Sequence, residues 1–267
     1  MEKKKVLFVS QEILPYLPES EISDIGRFLP QGIQERGKEI RTFMPRFGCV
    51  NERRNQLHEV IRLSGMNLVI NDNDHPLIIK VASIQAARMQ VYFIDNEDYF
   101  QRKFTVADDN GVEFEDNDER AIFFARGVLE TVIKLRWSPD IIHCHGWFTG
   151  MVPLFVKETY RDNPLFASTK IVYSVYDDRF NNTLSSNMAS KIAEDGVNPK
   201  DISVINDPTF ENYSKLIIDY SDAIIKGSQN INPEVESYIK SSGKQFLDYQ
   251  PKETYIDAFF DFYNNIL

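Results

Sequence analysis

The sequence predicts a doubly wound α/β domain, a mainly parallel sheet with an antiparallel β element inserted into it. Three observations lead there. Short unbroken apolar runs at 6–9, 141–142 and 223–225, with a further strand at 170–175, read as strands of a buried sheet. Between them, apolar residues recur at helical spacing, as in Ile22, Ile25, Phe28, Leu29 and Ile33. Over residues 57–93 the pattern changes to β-rich runs at 68–70, 77–79 and 91–93, around the turn Asn71-Asp72-Asn73-Asp74.

Taken in order, strand 6–9 is followed by a polar, proline-bearing loop over 11–21. The helix after it carries Pro30, where a kink or break is expected. Residues 40–44 form the next strand, which gives a strand–helix–strand start to a parallel sheet. The β-rich stretch reads as an antiparallel hairpin or meander, and 95–118 as an acidic loop. Ile122, Phe124, Ala125, Val128, Leu129, Val132 and Ile133 predict a helix over 118–135. Helices are expected at 147–157, 188–193 and 213–220, and another beginning near Pro233, where proline is tolerated. Ile256, Phe259, Phe260, Tyr263 and Ile266 make one apolar stripe on a final helix, 254–267. That stripe requires cover from its own domain or, in a homodimer, from a second subunit. No linker interrupts the pattern, so 1–267 is expected to be one domain.

Composition narrows the function classes. The 267 residues carry a formal net charge of −10, which disfavours phosphate backbones and anionic membranes as partners. Neither nucleic acid nor membrane is expected. The basic start, Met1 to Lys5, precedes only four apolar residues, against the roughly 7–15 of a signal peptide. Cys49 and Cys144 fit no metal or redox spacing. A cytoplasmic location follows as the default, with no cofactor.

Five blocks then align in order. They are Lys5-Val6-Leu7-Phe8-Val9-Ser10-Gln11-Glu12, Met44-Pro45-Arg46-Phe47-Gly48, the run from Asn96 to Arg102, Asp116-Asn117-Asp118-Glu119-Arg120, and Trp137 through His143-Cys144-His145-Gly146-Trp147. Together they resemble the N-terminal domain of bacterial ADP-glucose-dependent glycogen and starch synthases. The resemblance implies one Rossmann-like lobe of a glycosyltransferase B fold, glucosyl transfer to an α-1,4-glucan as the family reaction, and α-glucan or malto-oligosaccharide as ligand. The family's second lobe holds most of the sugar nucleotide, and nothing in this sequence corresponds to it. ADP-glucose is therefore expected only where a complementary lobe is supplied. The alternatives are a non-catalytic glucan-binding or regulatory protein, and a transferase completed by a partner.

The resemblance also places candidate residues. Asp116 matches a family aspartate near the acceptor, and His145 the first histidine of the family's His-Asp-Trp-His signature. These two are the catalytic candidates. Asp24, Tyr99 and Trp147 are candidates for substrate contact. Where the family has Lys-x-Gly-Gly for the diphosphate, this chain has Pro18-Glu19-Ser20-Glu21. A carboxylate ~5 Å from a phosphate costs ~3 kcal/mol at an effective dielectric of ~20, about two orders of magnitude in affinity. Pro18, Ser20 and Glu21 thus read as a degenerate donor loop. Equally, acids here complement a helix dipole. Gly146 and Phe148 depart from the signature, and Tyr176-Asp177 stands where the family has His-Asn. The residues alone leave other readings open. Asp116 could cap a helix, Tyr99 could be core, and His143-x-His145 could be a buried hydrogen-bonded pair. A zinc site would need His58 or His75 as well, so no metal is expected.

Overall fold

The computed structural model describes residues 3–267, so the first two residues of the basic start lie outside it. The elements are β1 (Lys5–Ser10), α1 (Glu21–Glu35), β2 (Glu39–Pro45), β3 (His58–Glu59), β4 (Met66–Ile70), β5 (Asn73–Ile84) and β6 (Met89–Asp95). There follow α2 (Glu97–Phe100), α3 (Asn117–Lys134), β7 (Ile141–His145), α4 (Met151–Lys157), β8 (Lys170–Val175), α5 (Met188–Ala193) and α6 (Phe210–Tyr220). The chain closes with β9 (Ala223–Lys226), α7 (Pro233–Ser241), β10 (Gln245–Leu247) and α8 (Tyr255–Ile266).

Strand order is β10-β9-β8-β7-β1-β2-β6-β5-β3, with β4 paired to β5. From β10 to β6 every pairing is parallel, and β3, β4 and β5 are the antiparallel addition. Residues 91–93 thus belong to a parallel strand on β2 as well as to the meander. Burial on both faces looks alike in sequence whichever way the partner runs. The β4–β5 turn is tight, with Asn71 and Asp72 both at positive φ, as hairpin turns of this length require. The chain winds outward from β1 in both directions, so β1 and β7 flank the point where strand order reverses. Loops leaving the carboxyl ends of these two strands meet there, and in such sheets ligands usually bind in the crevice at this point.

Side-chain alternation divides the core. Leu7, Val9, Ile142 and Cys144 face α3, α4 and α6. Val6, Phe8, Ile141 and Val172 face the other way, under Leu29 and Ile33 of α1 and Tyr255, Phe259, Tyr263 and Ile266 of α8. Gly32 permits the close α1–α8 contact, because a Cβ there would lie 2.5 Å from Ile256. Pro30 does not break α1, which continues unbroken to Glu35. Its neighbours Leu29 and Ile33 are fully buried on either side of it, so packing holds the turn where one backbone hydrogen bond is missing. Among the described residues no helix is long and apolar enough to cross a membrane.

Burial of its aromatic stripe leads us to expect α8 to contribute strongly to stability. Phe259→Ala is expected to cost ~3–5 kcal/mol, as for other fully buried aromatics. Tyr263→Phe, which strands a buried imidazole nitrogen of His143, is expected to cost ~1–3 kcal/mol. Urea denaturation of the whole chain reads both. An unchanged midpoint in both variants would show that α8 contributes nothing.

Candidate functional site: the crevice at the β1–β7 switch point

The crevice is built by hydrogen bonds between two loops. The Gln11 main-chain N–H donates to His145 O at 3.1 Å, which continues the β1–β7 pairing by one residue. The Gln11 side chain then accepts from Phe148 N–H at 3.0 Å. Asp178, just beyond β8, accepts from Trp147 N–H at 2.8 Å through Oδ2. Gly146 sits between them at φ +87 and ψ 156, a region essentially closed to other residues.

Below this edge lie the two histidines, under α1 and α8. Their rings are 3.8 Å apart, centroid to centroid. His143 is bonded through one nitrogen to the Tyr263 hydroxyl and through the other to Ser174 Oγ. His145 Nδ1 meets the Tyr176 hydroxyl at 2.8 Å, and its Nε2 has no partner. Tyr176 can lie there because residue 227 is glycine, since a Cβ at 227 would strike the ring at 2.5 Å. Burial holds both imidazoles neutral, pushing His143 well below its ordinary range and His145 down to about 3.

Trp147 is 2 % exposed and packs its ring against Phe148, Phe180 and Tyr213. It is a core aromatic and offers no open face to a sugar. Phe148, where the family signature ends in histidine, is fully buried among Phe47, Phe100 and Phe124, with the Arg120 guanidinium 5.7 Å from its centroid.

The remaining candidates fall in two other places. Tyr99 is 3 % exposed, bonded to Glu119 and His75 with its ring 4.4 Å from that imidazole, so it too is part of the core. Asp116 occupies the N-cap position of α3 but makes no capping bond. It forms a two-pronged pair with Arg102, both side chains about one-third exposed, and does not reach His145. That pair is partly open to solvent.

The third group surrounds the start of α1. Ser20 is the N-cap in a capping box: its hydroxyl accepts from Ser23 N–H at 3.0 Å, and Ser23 Oγ accepts from Ser20 N–H at 2.8 Å. Ser20 Oγ also donates to Glu12. Pro18 is exposed, and its carbonyl accepts from Ser23 Oγ. Glu21 is exposed and accepts from Ser228 Oγ, which itself accepts from Asp177 N–H. Asp24 pairs with Lys252 Nζ at 3.0 Å. A cavity of about 120 Å³ lies here, lined by Glu21, Asp24, Phe28, Gly227, Tyr249, Lys252 and Tyr255 among others. Pockets that enclose drug-sized ligands run to ~300–1,000 Å³, so this one does not admit a sugar nucleotide as it stands. Glu12, Asp178, Ser228 and Lys252 were not singled out from the sequence, because only the fold brings them together.

Residues 5–247 match the family model for the starch synthase catalytic domain. The chain belongs to that family. Its similarity to the glycogen synthase of Chlorobium limicola is 41 % identity over 174 residues, 65 % of this chain and 36 % of that protein. The Chlorobaculum tepidum glycogen synthase is 39 % identical over the same extent. The chain thus spans just over a third of the length of the curated relatives it matches. Among solved structures, the catalytic domain of Starch Synthase IV from Arabidopsis thaliana, bound to ADP and acarbose, superposes with a TM-score of 0.74 at 18 % identity. The overlap takes in 92 % of this chain and 51 % of that one. The starch-synthase domain here has the architecture of one glycosyltransferase B lobe. Helix α8 lies beyond the stretch that matches the family model.

The buried histidines give a spectroscopic expectation. In heteronuclear NMR, His143 and His145 should remain neutral from pH 8 down to pH 5. Their protons are taken up only in the unfolded chain, near the ordinary value of 6.5, so both weaken the fold as pH falls below that value. Titration of either ring near pH 6.5 in the folded protein would contradict the buried, uncharged pair.

Proposed function

We propose that this starch-synthase lobe binds α-1,4-glucan and that the 267-residue chain does not transfer glucose from ADP-glucose. The observation that carries this reading is the capped, carboxylate-ringed N-terminus of α1. A helix N-terminus binds phosphate through free N–H groups and the positive end of its dipole. At α1 the capping box takes the N–H groups of Ser20 and Ser23. Carboxylates of Glu12, Glu21 and Asp24 stand around the same turn, and Lys252 on the rim is engaged with Asp24. A diphosphate would meet three carboxylates there, and the nearby cation Lys252 is already paired with Asp24.

The rest of the crevice points the same way. Glycosyl transfer needs donor and acceptor held together and the leaving diphosphate's charge offset. Gly146, Phe148 and Tyr176 stand in place of polar family residues, and Phe148 has moved into the hydrophobic core. The Asn96 to Arg102 and Asp116 to Arg120 blocks are retained. They leave the Arg102–Asp116 pair partly open as a hydrogen-bonding site for sugar hydroxyls. The Arabidopsis structure of this fold was solved with acarbose as well as ADP, which supports a sugar as the ligand class.

The test is incorporation of labelled glucose from ADP-glucose into glycogen by protein free of host synthase. No incorporation above background is expected. Pro18→Lys combined with Glu21→Gly should tighten ADP binding and still give no turnover. Enzyme-dependent incorporation by the unaltered chain would overturn the reading.

A further inference from the structure

We propose that Asp178 is the carboxylate with which this crevice holds a sugar hydroxyl, standing in space for the side chain that Gly146 lacks. The assignment rests on the glucan-binding reading above. It begins from the geometry around Gly146. A Cβ built on that residue would lie 3.0 Å from Asp178 Oδ2 and 2.8 Å from Gln11 Oε1. The direction in which a side chain at 146 would point is therefore already occupied by a carboxylate and a carboxamide. The backbone of Gly146 is in a region open to glycine alone, and the carboxylate found at this point comes from a different loop. Asp178, from the loop after β8, supplies it.

Its position is fixed from the main chain. Oδ2 accepts from Trp147 N–H at 2.8 Å, and Trp147 is itself locked in the aromatic core. Gln11 fixes the other side of the turn through Phe148 N–H. Asp178 as a residue is half-buried rather than sealed. Among the described residues no ion pair includes Asp178. A carboxyl removed from water without a counter-ion is costly, and such groups concentrate at binding sites.

The surroundings select the ligand class. Glu12 and Asp177 face the carboxyl from the β1 loop and from its own loop, and Tyr173, Tyr176 and Tyr213 face it from β8 and α6. All three phenols are pushed above their ordinary range by burial and stay neutral at physiological pH. Three acidic residues repel phosphates and carboxylates, and among uncharged ligands a hydroxyl-rich one is the class that carboxylates hold well. Burial, reinforced by Glu12 and Asp177, also pushes Asp178 up to about 7. The carboxylate that accepts a hydroxyl best is thus formed as pH rises through neutrality.

The experiment is an NMR titration of maltoheptaose into the whole chain and its Asp178→Asn variant at pH 6 and pH 8. The amide keeps an acceptor for Trp147 N–H, so it separates holding the turn from holding the sugar. Asp178→Asn is expected to bind about tenfold more weakly at pH 8, the loss of one charge-assisted hydrogen bond. The wild-type chain is expected to bind several-fold more tightly at pH 8 than at pH 6, and the variant equally at both. Equal affinity and equal pH dependence in the two proteins would show that Asp178 only caps the turn, and would overturn the assignment while leaving glucan binding intact. Absence of binding by the wild-type chain would instead overturn the glucan reading and the assignment with it. Should Asp178→Asn unfold, Asp178→Glu keeps the charge and displaces it. Weakened binding with a retained pH dependence is expected there, and unchanged binding would count against the assignment.

Discussion

The parallel pairing of β1 with β7 is the constraint on which the rest depends. Its register sets Ser10 beside His145, and the bond from Gln11 N–H to His145 O carries the pairing past the end of the sheet. Two loops far apart in sequence leave the sheet at one point because of it. Gln11 can then hold Phe148 N–H, and Asp178, one strand further out, can hold Trp147 N–H. If the register slipped by one residue, His143 and His145 would turn toward α3 and α4, and Cys144 toward α1 and α8.

The two faces of that strand have separate roles. On the α3 side, Trp147 and Phe148 lead into an aromatic core that reaches Phe47, Phe100, Phe124 and the buried Arg120. On the α8 side, the histidines form a hydrogen-bonded layer closed by Tyr176, Ser174 and Tyr263. Neither layer exposes an acid, base or cation to the crevice. Around the two loops and the start of α1 the open side chains are largely acidic, Glu12, Glu21, Asp24, Asp177 and Asp178, with Lys252 paired to Asp24. A surface of that sign disfavours a diphosphate and tolerates a neutral carbohydrate, a distinction set by charge and independent of the fold's capacity for transfer.

Much of the fold was legible in the sequence because each element hides one face. The stripes of α1, α3 and α8 are visible as period-3.6 patterns. Pro30 misled, since its local cost is visible and the packing of Leu29 and Ile33 that offsets it is not. β10 was missed, being three residues long and only partly buried. The site was less legible. Tyr99 and Trp147 have the chemistry of sugar platforms, and only burial shows that their faces are taken. Ser20 begins a capping box whose third residue is Ser23 rather than the usual Glu or Gln, which weakens the signature. Asp178 is the second of two adjacent aspartates in a polar loop, and nothing in its neighbours marks it as the one turned inward. The family blocks pointed to the β1–β7 edge; the contacts found there join residues distant in sequence.

The central claim is that this lobe has kept a sugar-binding edge and lost the phosphate-binding end of α1. Paired calorimetric titrations of the purified chain with maltoheptaose and with ADP-glucose test it most directly. The account predicts measurable heat with the oligosaccharide at millimolar concentration and none with the sugar nucleotide. Binding of ADP-glucose without binding of maltoheptaose would contradict it.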